Sequence, residues 1–185
     1  MIILRDLELD ELEKYKYWKL PHHKYHLFNG PYFKKDSIHD VEKHIKTLKN
    51  KLIKGKCALE NKKIITNEHH EIIGEVSWNW KSKETYWMEI GIVIFNDEFW
   101  NKGIGYIALN LWVSFIFNTT SDINRLGIST WSGNKGMINL AIKLGMKKEA
   151  EYKNARIING KYFDSVSYGI LREEWNVQNN MDLNK

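Results

Sequence analysis

The sequence predicts a mixed α/β (α+β) fold, with a mainly antiparallel central sheet flanked by helices. Three observations predict it. Short apolar runs separated by polar turns recur between Ile64 and Phe95 and read as a meander of strands. Helical spacing from Gly105 to Asn118 and again from Asn134 to Leu144 brackets an apolar run at Leu126 to Trp131, the pattern of a strand-helix-strand crossover. Near the C-terminus, Asn159-Gly160 lies between two strand-like runs and is the best sequence signal for a tight hairpin.

Each element has a local reason. Ile2 to Arg5 reads as a first strand, and Asp6 to Trp18 as a helix whose early carboxylates suit its positive N-terminal dipole. Pro21 and Pro31 bracket an aromatic, His-rich loop. Ser37 caps the next helix, Asp40 serves as its capping-box acid, and Ile38, Val41, Ile45, Leu48 and Leu52 give one buried stripe ending near Gly55. Cys57 to Leu59, Ile64 to Thr66 and Glu71 to Trp80 read as strands, and Tyr86 to Phe95 as the strongest one. Gly145 stops the last internal helix through a positive φ, before strands at Glu149 to Ile157 and Lys161 to Leu171.

Composition bounds the function. The 185 residues, 43% apolar with 8 Trp, suit one packed domain, taken as residues 1–175 with a polar tail at 176–185. The net charge of +5 is spread over scattered lysines, so nucleic-acid binding is not expected. Trp78 and Trp80 share a strand face and read as core or as a dimer surface, which admits a homodimer. Cys57 is the single cysteine, which excludes an internal disulfide. His22, His23 and His26 have no carboxylate companion and their spacing is disturbed by Pro21, so no metal is expected. The start of the chain lacks a signal-like apolar core and no apolar run approaches about 20 residues, so the expectation is a cytoplasmic protein that does not enter a membrane.

The most informative stretch runs from Ile90 to Phe95, through Asn96 to Trp100, into the turn Asn101-Lys102-Gly103-Ile104-Gly105-Tyr106 and a helix. An apolar strand feeding a glycine turn at a helix start gathers backbone N–H groups around a phosphate. A Walker loop would need Lys and Ser or Thr after its second glycine, where Tyr106 and Ile107 stand. A dinucleotide fingerprint would place its third glycine at Ala108; alanine is tolerated there, so that reading stays open.

Phe99-Trp100-Asn101-Lys102-Gly103-Ile104-Gly105 also resembles the acetyl-CoA pyrophosphate loop of the GNAT acetyltransferases, Q/R-x-x-G-x-G/A. Trp100 stands where Gln or Arg is more usual, as is frequent in the RimJ/RimL branch. The block Asn134 to Met146 resembles that family's N-x-x-S-x-x-L-x-x-K-L-G-F segment, and Asn159 to Asp164 with Glu174-Trp175 resembles the RimJ/RimL-type ending. Together these motifs cover most of the chain in order.

This resemblance implies an N-acetyltransferase that moves an acetyl group from acetyl-CoA to a primary amine, a protein N-terminus or a small amine, by direct attack in a ternary complex. It implies a splayed strand pair that holds the pantetheine arm through the backbone of Val93, Ile94 and Phe95. Trp100, Asn101, Lys102, Gly103, Ile104, Gly105 and Tyr106 then form the pyrophosphate loop, and Asn134 bonds the arm, although as a helix N-cap it reads equally well as structural. Met137 and Ala141 stand where the family often has Ser and sometimes Tyr, so the general acid is unassigned and a noncatalytic acyl-CoA-binding module is the alternative. A thiol with pKa near ~8.5 leaves without strong acid assistance.

Glu89 and Glu75, both within apolar strands, are the candidate bases. Phe28, Tyr32 and Phe33 are the candidate walls of the acceptor site, or else anchors of their loop. An acceptor α-amine, with pKa about 8, needs less help to shed its proton than a lysine near ~10.4.

Overall fold

The computed structural model describes the backbone of residues 1–182 and side chains as far as residue 178. Its elements are β1(Ile2–Arg5), α1(Leu12–Lys19), α2(Ile38–Ile53), β2(Lys62–Asn67), β3(Ile72–Ser82), β4(Trp87–Ile94), α3(Ile104–Thr119), β5(Arg125–Trp131), α4(Lys135–Lys143), β6(Lys147–Ile158), β7(Lys161–Leu171) and α5(Arg172–Asp182). The strands form one sheet in the order β1-β2-β3-β4-β5-β7-β6. Pairing is antiparallel for β1/β2, β2/β3, β5/β7 and β6/β7, and parallel for β4/β5. This is the mainly antiparallel, helix-flanked sheet the sequence predicts. By its contacts the chain divides into two compact units, residues 1–77 with 92–108, and residues 78–91 with residues from 109 onward.

In the first unit, Leu12 and Tyr15 of α1, Val41, Ile45 and Leu48 of α2, Ile64 of β2 and Phe95 meet in one buried cluster. The capping box at Ser37 and Asp40 is complete: Ser37 Oγ accepts from the Asp40 amide and the Asp40 carboxylate accepts from the Ser37 amide. Ile38, at the first helical position, remains 57% exposed, so the buried stripe begins one turn later than expected. The helix expected from Asp6 starts as a 3-10 turn at Leu9–Glu11 and becomes α-helical only at Leu12. There the Glu11 carboxylate accepts from the Arg5 guanidinium and from the Glu8 amide, which holds the chain in a turn. Residues 57–59 form no strand; Ala58 and Leu59 are buried, and the Lys62 amide bonds back to Leu59 in a turn that leads into β2.

In the second unit, Met88 and Ile90 of β4, Leu126 and Ile128 of β5, and Val166 and Ile170 of β7 point to one buried face, as the two-residue alternation requires. Asn159 and Gly160 both have positive φ, 50° and 73°, the conformation of a type I′ hairpin turn. Helix α5 runs across the boundary expected at residue 175. Its first residue explains its placement: the Arg172 guanidinium donates to the carbonyls of Phe117, Thr120 and Ile123, satisfying chain ends just after α3. The last three residues of the expected polar tail lie outside the described residues.

Candidate functional site

The end of β4 sets the geometry of the candidate site. The Phe95 amide donates to the Ile73 carbonyl of β3 at 2.8 Å. Backbone polar groups alternate sides along a strand, so Val93 and Phe95 address β3, whereas the N–H and C=O of Ile94 address the opposite edge. Strand β3 carries a bulge in its pairing with β2, the register passing from Ile65/Gly74 to Thr66/Ile72. A Cβ on Gly74 would fall 2.1 Å from the Val93 carbonyl oxygen, so only glycine fits there.

Immediately downstream, Asn96 Oδ1 accepts from the Glu98 amide and starts a 3-10 turn at Asp97–Phe99. Asn101 and Gly103 then take positive φ, 59° and 78°, and turn the chain into α3 at Ile104. The Ile107 amide bonds the Gly103 carbonyl, closing the first turn, so the N–H groups of the residues just before it point out of a 16-residue helix. A Cβ on Gly103 would meet nothing within 4 Å. Open space at the positive end of a helix fits an anionic phosphate group.

The two N–H donors of Trp100 are engaged within the turn and strand end. Its amide bonds the Asp97 carbonyl, and its indole Nε1 donates to Ile94 at 3.0 Å. Trp100 thereby anchors the turn to the end of β4. The Phe95 amide serves the β3 side.

The Phe95 ring stacks on Trp18 at 6.1 Å and meets Tyr15 and Tyr25 at edge or tilted angles. Tyr15 also meets Glu75. Its carboxylate accepts from Tyr15 Oη at 2.7 Å, Lys19 Nζ at 3.0 Å and Lys62 Nζ at 2.7 Å. Burial opposes its ionisation, but the two ammonium groups and these hydrogen bonds hold its pKa down to about 2. Burial lowers the Lys19 pKa despite the attraction of Glu75. A carboxylate so firmly ionised is a weak proton acceptor, so Glu75 reads as a structural charge that ties α1, β2 and β3 together, in place of the expected base.

The aromatic loop is tied to the glycine turn at two points. Lys24 pairs with Asp97 at 2.5 Å, and the Phe28 ring meets Trp100 edge-on at 5.5 Å. Tyr32 and Phe33 pack on one another, with Phe33 69% exposed. A cavity of about 520 Å³ in the same unit is lined by Glu13, Tyr17, Trp18, Glu71 and Ile72, and Phe28, Tyr32 and Phe33 are not among its walls. His23 and His26 each direct Nε2 to a backbone carbonyl, of Tyr17 and Leu20. Among the described residues, no group of three or more His, Cys, Asp or Glu side chains is arranged to hold a metal ion.

In the second unit, Glu89 Oε1 accepts from Ser129 Oγ at 2.6 Å, with Lys81 Nζ 3.6 Å away. Asn134 is the N-cap of α4, its Oδ1 accepting from the Met137 amide. The sequence reading did not single out Trp18, Lys19, Ser129 or Ser167. Ser129 and Ser167 are register partners on β5 and β7 but stand 38 residues apart in the chain, so no local pattern marks them.

The model of the acetyltransferase (GNAT) domain matches residues 1–147. The chain belongs to the GNAT acetyltransferase family. A Bacillus subtilis relative, named "Putative ribosomal N-acetyltransferase YdaF", is 27% identical over 97 residues, which is 52% of this chain and 49% of that protein. The chain thus spans about half the length of the curated relative it matches. Among solved structures, the spermidine N-acetyltransferase from Vibrio cholerae in complex with CoA and spermine superposes with a TM-score of 0.73 at 19% identity, covering 95% of this chain and 98% of that one. RimL, a ribosomal L7/L12 alpha-N-protein acetyltransferase in complex with CoA, gives 0.69 at 19% identity, over 92% of this chain and 93% of that one. At such identities the likeness is one of fold. No helix among the described residues of this GNAT chain is long and apolar enough to cross a membrane.

Proposed function

We propose that this acetyltransferase moves the acetyl group of acetyl-CoA to a primary amine, a protein N-terminus or a small amine, by direct attack with both substrates bound. The observation that carries the reading is the juxtaposition of an outward-facing strand edge at Ile94 with an open helix N-terminus at Gly103, joined by the Trp100 anchor. Amides of Lys102, Gly103, Ile104 and Gly105 would hold the pyrophosphate, with Asn101 supplying the left-handed turn that aims them. The Ile94 N–H would bond the pantetheine arm or the thioester carbonyl. Acetyl-CoA supplies an activated thioester, and no metal is required for its transfer to a neutral amine.

Glu89 serves as proton acceptor in this reading. It is part-exposed, held by one hydroxyl, and has a lysine at its side, whereas Glu75 is buried under three donors. The amine acceptors named for the spermidine enzyme and for RimL support an amine as the acceptor class.

Release of CoA thiol, followed across a panel of peptide N-termini, polyamines and aminoglycosides, tests the proposal. Amine-dependent release with N-acetylated product is expected. Tight CoA binding with no amine-dependent release at any pH from 6 to about 9, the range that deprotonates an α-amine, would overturn it.

A further inference from the structure

The aromatic loop is built onto the end of α1. Tyr25 is 4% exposed; its Oη donates to the Trp18 carbonyl at 2.8 Å, and its ring lies 5.4 Å from that of Phe95. His23 and His26 direct Nε2 to the carbonyls of Tyr17 and Leu20, at 2.7 and 3.0 Å. Intrahelical donors run out at a helix C-terminus, so these three side chains supply what the end of α1 needs. Within the loop the His26 amide donates to the His23 carbonyl, and the amides of Phe28 and Asn29 both donate to the Tyr25 carbonyl. Residues 23–28 therefore form a firmly held base.

Two side chains reach from this base to the glycine turn. Lys24 Nζ lies 2.5 Å from Asp97 Oδ2, but these side chains are 69% and 39% exposed, and pairs so open to water and salt contribute little. The second contact is the stronger link. The rings of Phe28 and Trp100 meet edge-on, with centroids 5.5 Å apart and planes at 83°. Such a pair depends on ring orientation, and the orientation of Trp100 is set by the bond from its Nε1 to the Ile94 carbonyl at 3.0 Å. The next residue, Asn101, has positive φ, as does Gly103, so the position of Trp100 bears directly on how the turn enters α3. All these residues belong to the first unit.

We propose that the aromatic loop is a clasp on the glycine turn, with Phe28 as its positioning residue: docking of Phe28 on Trp100 and binding of acetyl-CoA at the turn favour one another. The inference rests on the acetyl-CoA reading above. In the clasped state the indole stays on the Ile94 carbonyl and the amides of Lys102 to Gly105 are presented together. In the released state the ring and those amides lose their common orientation. Acetyl-CoA meets the full set of amides only in the clasped state, which gives it the differential affinity that a linked equilibrium requires. Linkage is reciprocal, so the factor that Phe28 adds to acetyl-CoA affinity returns as protection of the loop by acetyl-CoA. An edge-to-face aromatic pair sets that factor at about 3- to 10-fold.

The test measures acetyl-CoA affinity by calorimetry in wild type, Phe28→Ala, Phe28→Tyr, Leu27→Ala and Gly103→Glu, and amide hydrogen exchange over residues 24–29 with and without acetyl-CoA. Phe28→Ala should bind about 3- to 10-fold more weakly, and Phe28→Tyr, which keeps the ring edge, should bind as wild type does. Leu27→Ala, a truncation of a 58% exposed neighbour in the same turn, should also match wild type. Acetyl-CoA should slow exchange at the Phe28 and Asn29 amides of the wild type by a comparable factor, and should lose this effect in Phe28→Ala. Should Phe28→Ala fail to fold, Phe28→Leu, which keeps bulk without a ring, takes its place, and exchange in the wild type decides independently. Wild-type affinity in Phe28→Ala, an equal loss in Leu27→Ala, or exchange that acetyl-CoA leaves unchanged would overturn the clasp. If Gly103→Glu still weakens binding in that case, the acetyl-CoA reading stands; wild-type affinity in Gly103→Glu would remove both.

Discussion

The indole Nε1 of Trp100 donates to the carbonyl oxygen of Ile94 across 3.0 Å, and so fastens the glycine turn to the outer edge of β4. A residue that occupies a usual cofactor-contact position in the motif here serves as the brace between strand and loop. Its ring is in turn met by Phe28, which extends the brace to the aromatic loop.

Replacing Trp100 by Phe keeps an aromatic surface for Phe28 but leaves the Ile94 carbonyl without its donor. The expected cost is about 1–2 kcal/mol of stability. Acetyl-CoA affinity should fall by about tenfold, the equivalent of ~1.4 kcal/mol. Chemical denaturation and calorimetry measure the two effects, and an unchanged affinity would count against the brace.

Gly103→Glu should weaken acetyl-CoA binding by more than about tenfold, since it sets a carboxylate where the proposed function puts the pyrophosphate. The space around its Cβ is open, so the fold should persist. The φ of 78° charges any L-residue about 1–2 kcal/mol, a cost that Gly103→Ala would report by itself. Affinity equal to wild type in both variants would remove the pyrophosphate from this turn.

Gly74→Ala behaves differently, because its Cβ would meet the Val93 carbonyl oxygen at 2.1 Å. The strands must part there, and a loss of about 3–5 kcal/mol is expected, with most of the protein insoluble or melting far below wild type. A well-folded alanine variant would show that β3 and β4 approach less closely than described.

Glu75 links stability to acid. Its folded pKa of about 2 lies below the ordinary carboxylate value of 4.5, so its contribution is present above about pH 4.5 and is lost as the pH falls toward 2. The shift corresponds to roughly 3 kcal/mol, less what burial of Lys19 gives back. Glu75→Gln should therefore be less stable than wild type at pH 7, with the gap closing between about pH 4.5 and 2. Urea denaturation across this range checks the sign, and a gap that widens in acid would contradict it.

Much of the architecture was legible because it rests on local chemistry. The box of Ser37 and Asp40, the left-handed stop at Gly145 and the paired positive φ angles at Asn159 and Gly160 each depend on neighbours within a few residues. Strand alternation likewise marked β4 and β7 to within a residue or two of their observed ends. The errors have long-range causes. Residues 57–59 carry a strand-like pattern yet bury Ala58 and Leu59 without a ladder, and α5 owes its position to Arg172 reaching carbonyls about fifty residues earlier.

The sequence by itself determined the glycine turn between β4 and α3, because such a turn needs only contiguous backbone: a strand end, two left-handed residues and a helix start. Tertiary structure alone decided what surrounds each of the two candidate carboxylates. Glu75 and Glu89 look alike in sequence, both set among apolar strand residues. One is clasped by Tyr15, Lys19 and Lys62 in the interior, and the other meets Ser129 and Ser167 on an open sheet face. Ionisation depends on the charges and solvent around a group, and those are supplied by segments distant in the chain.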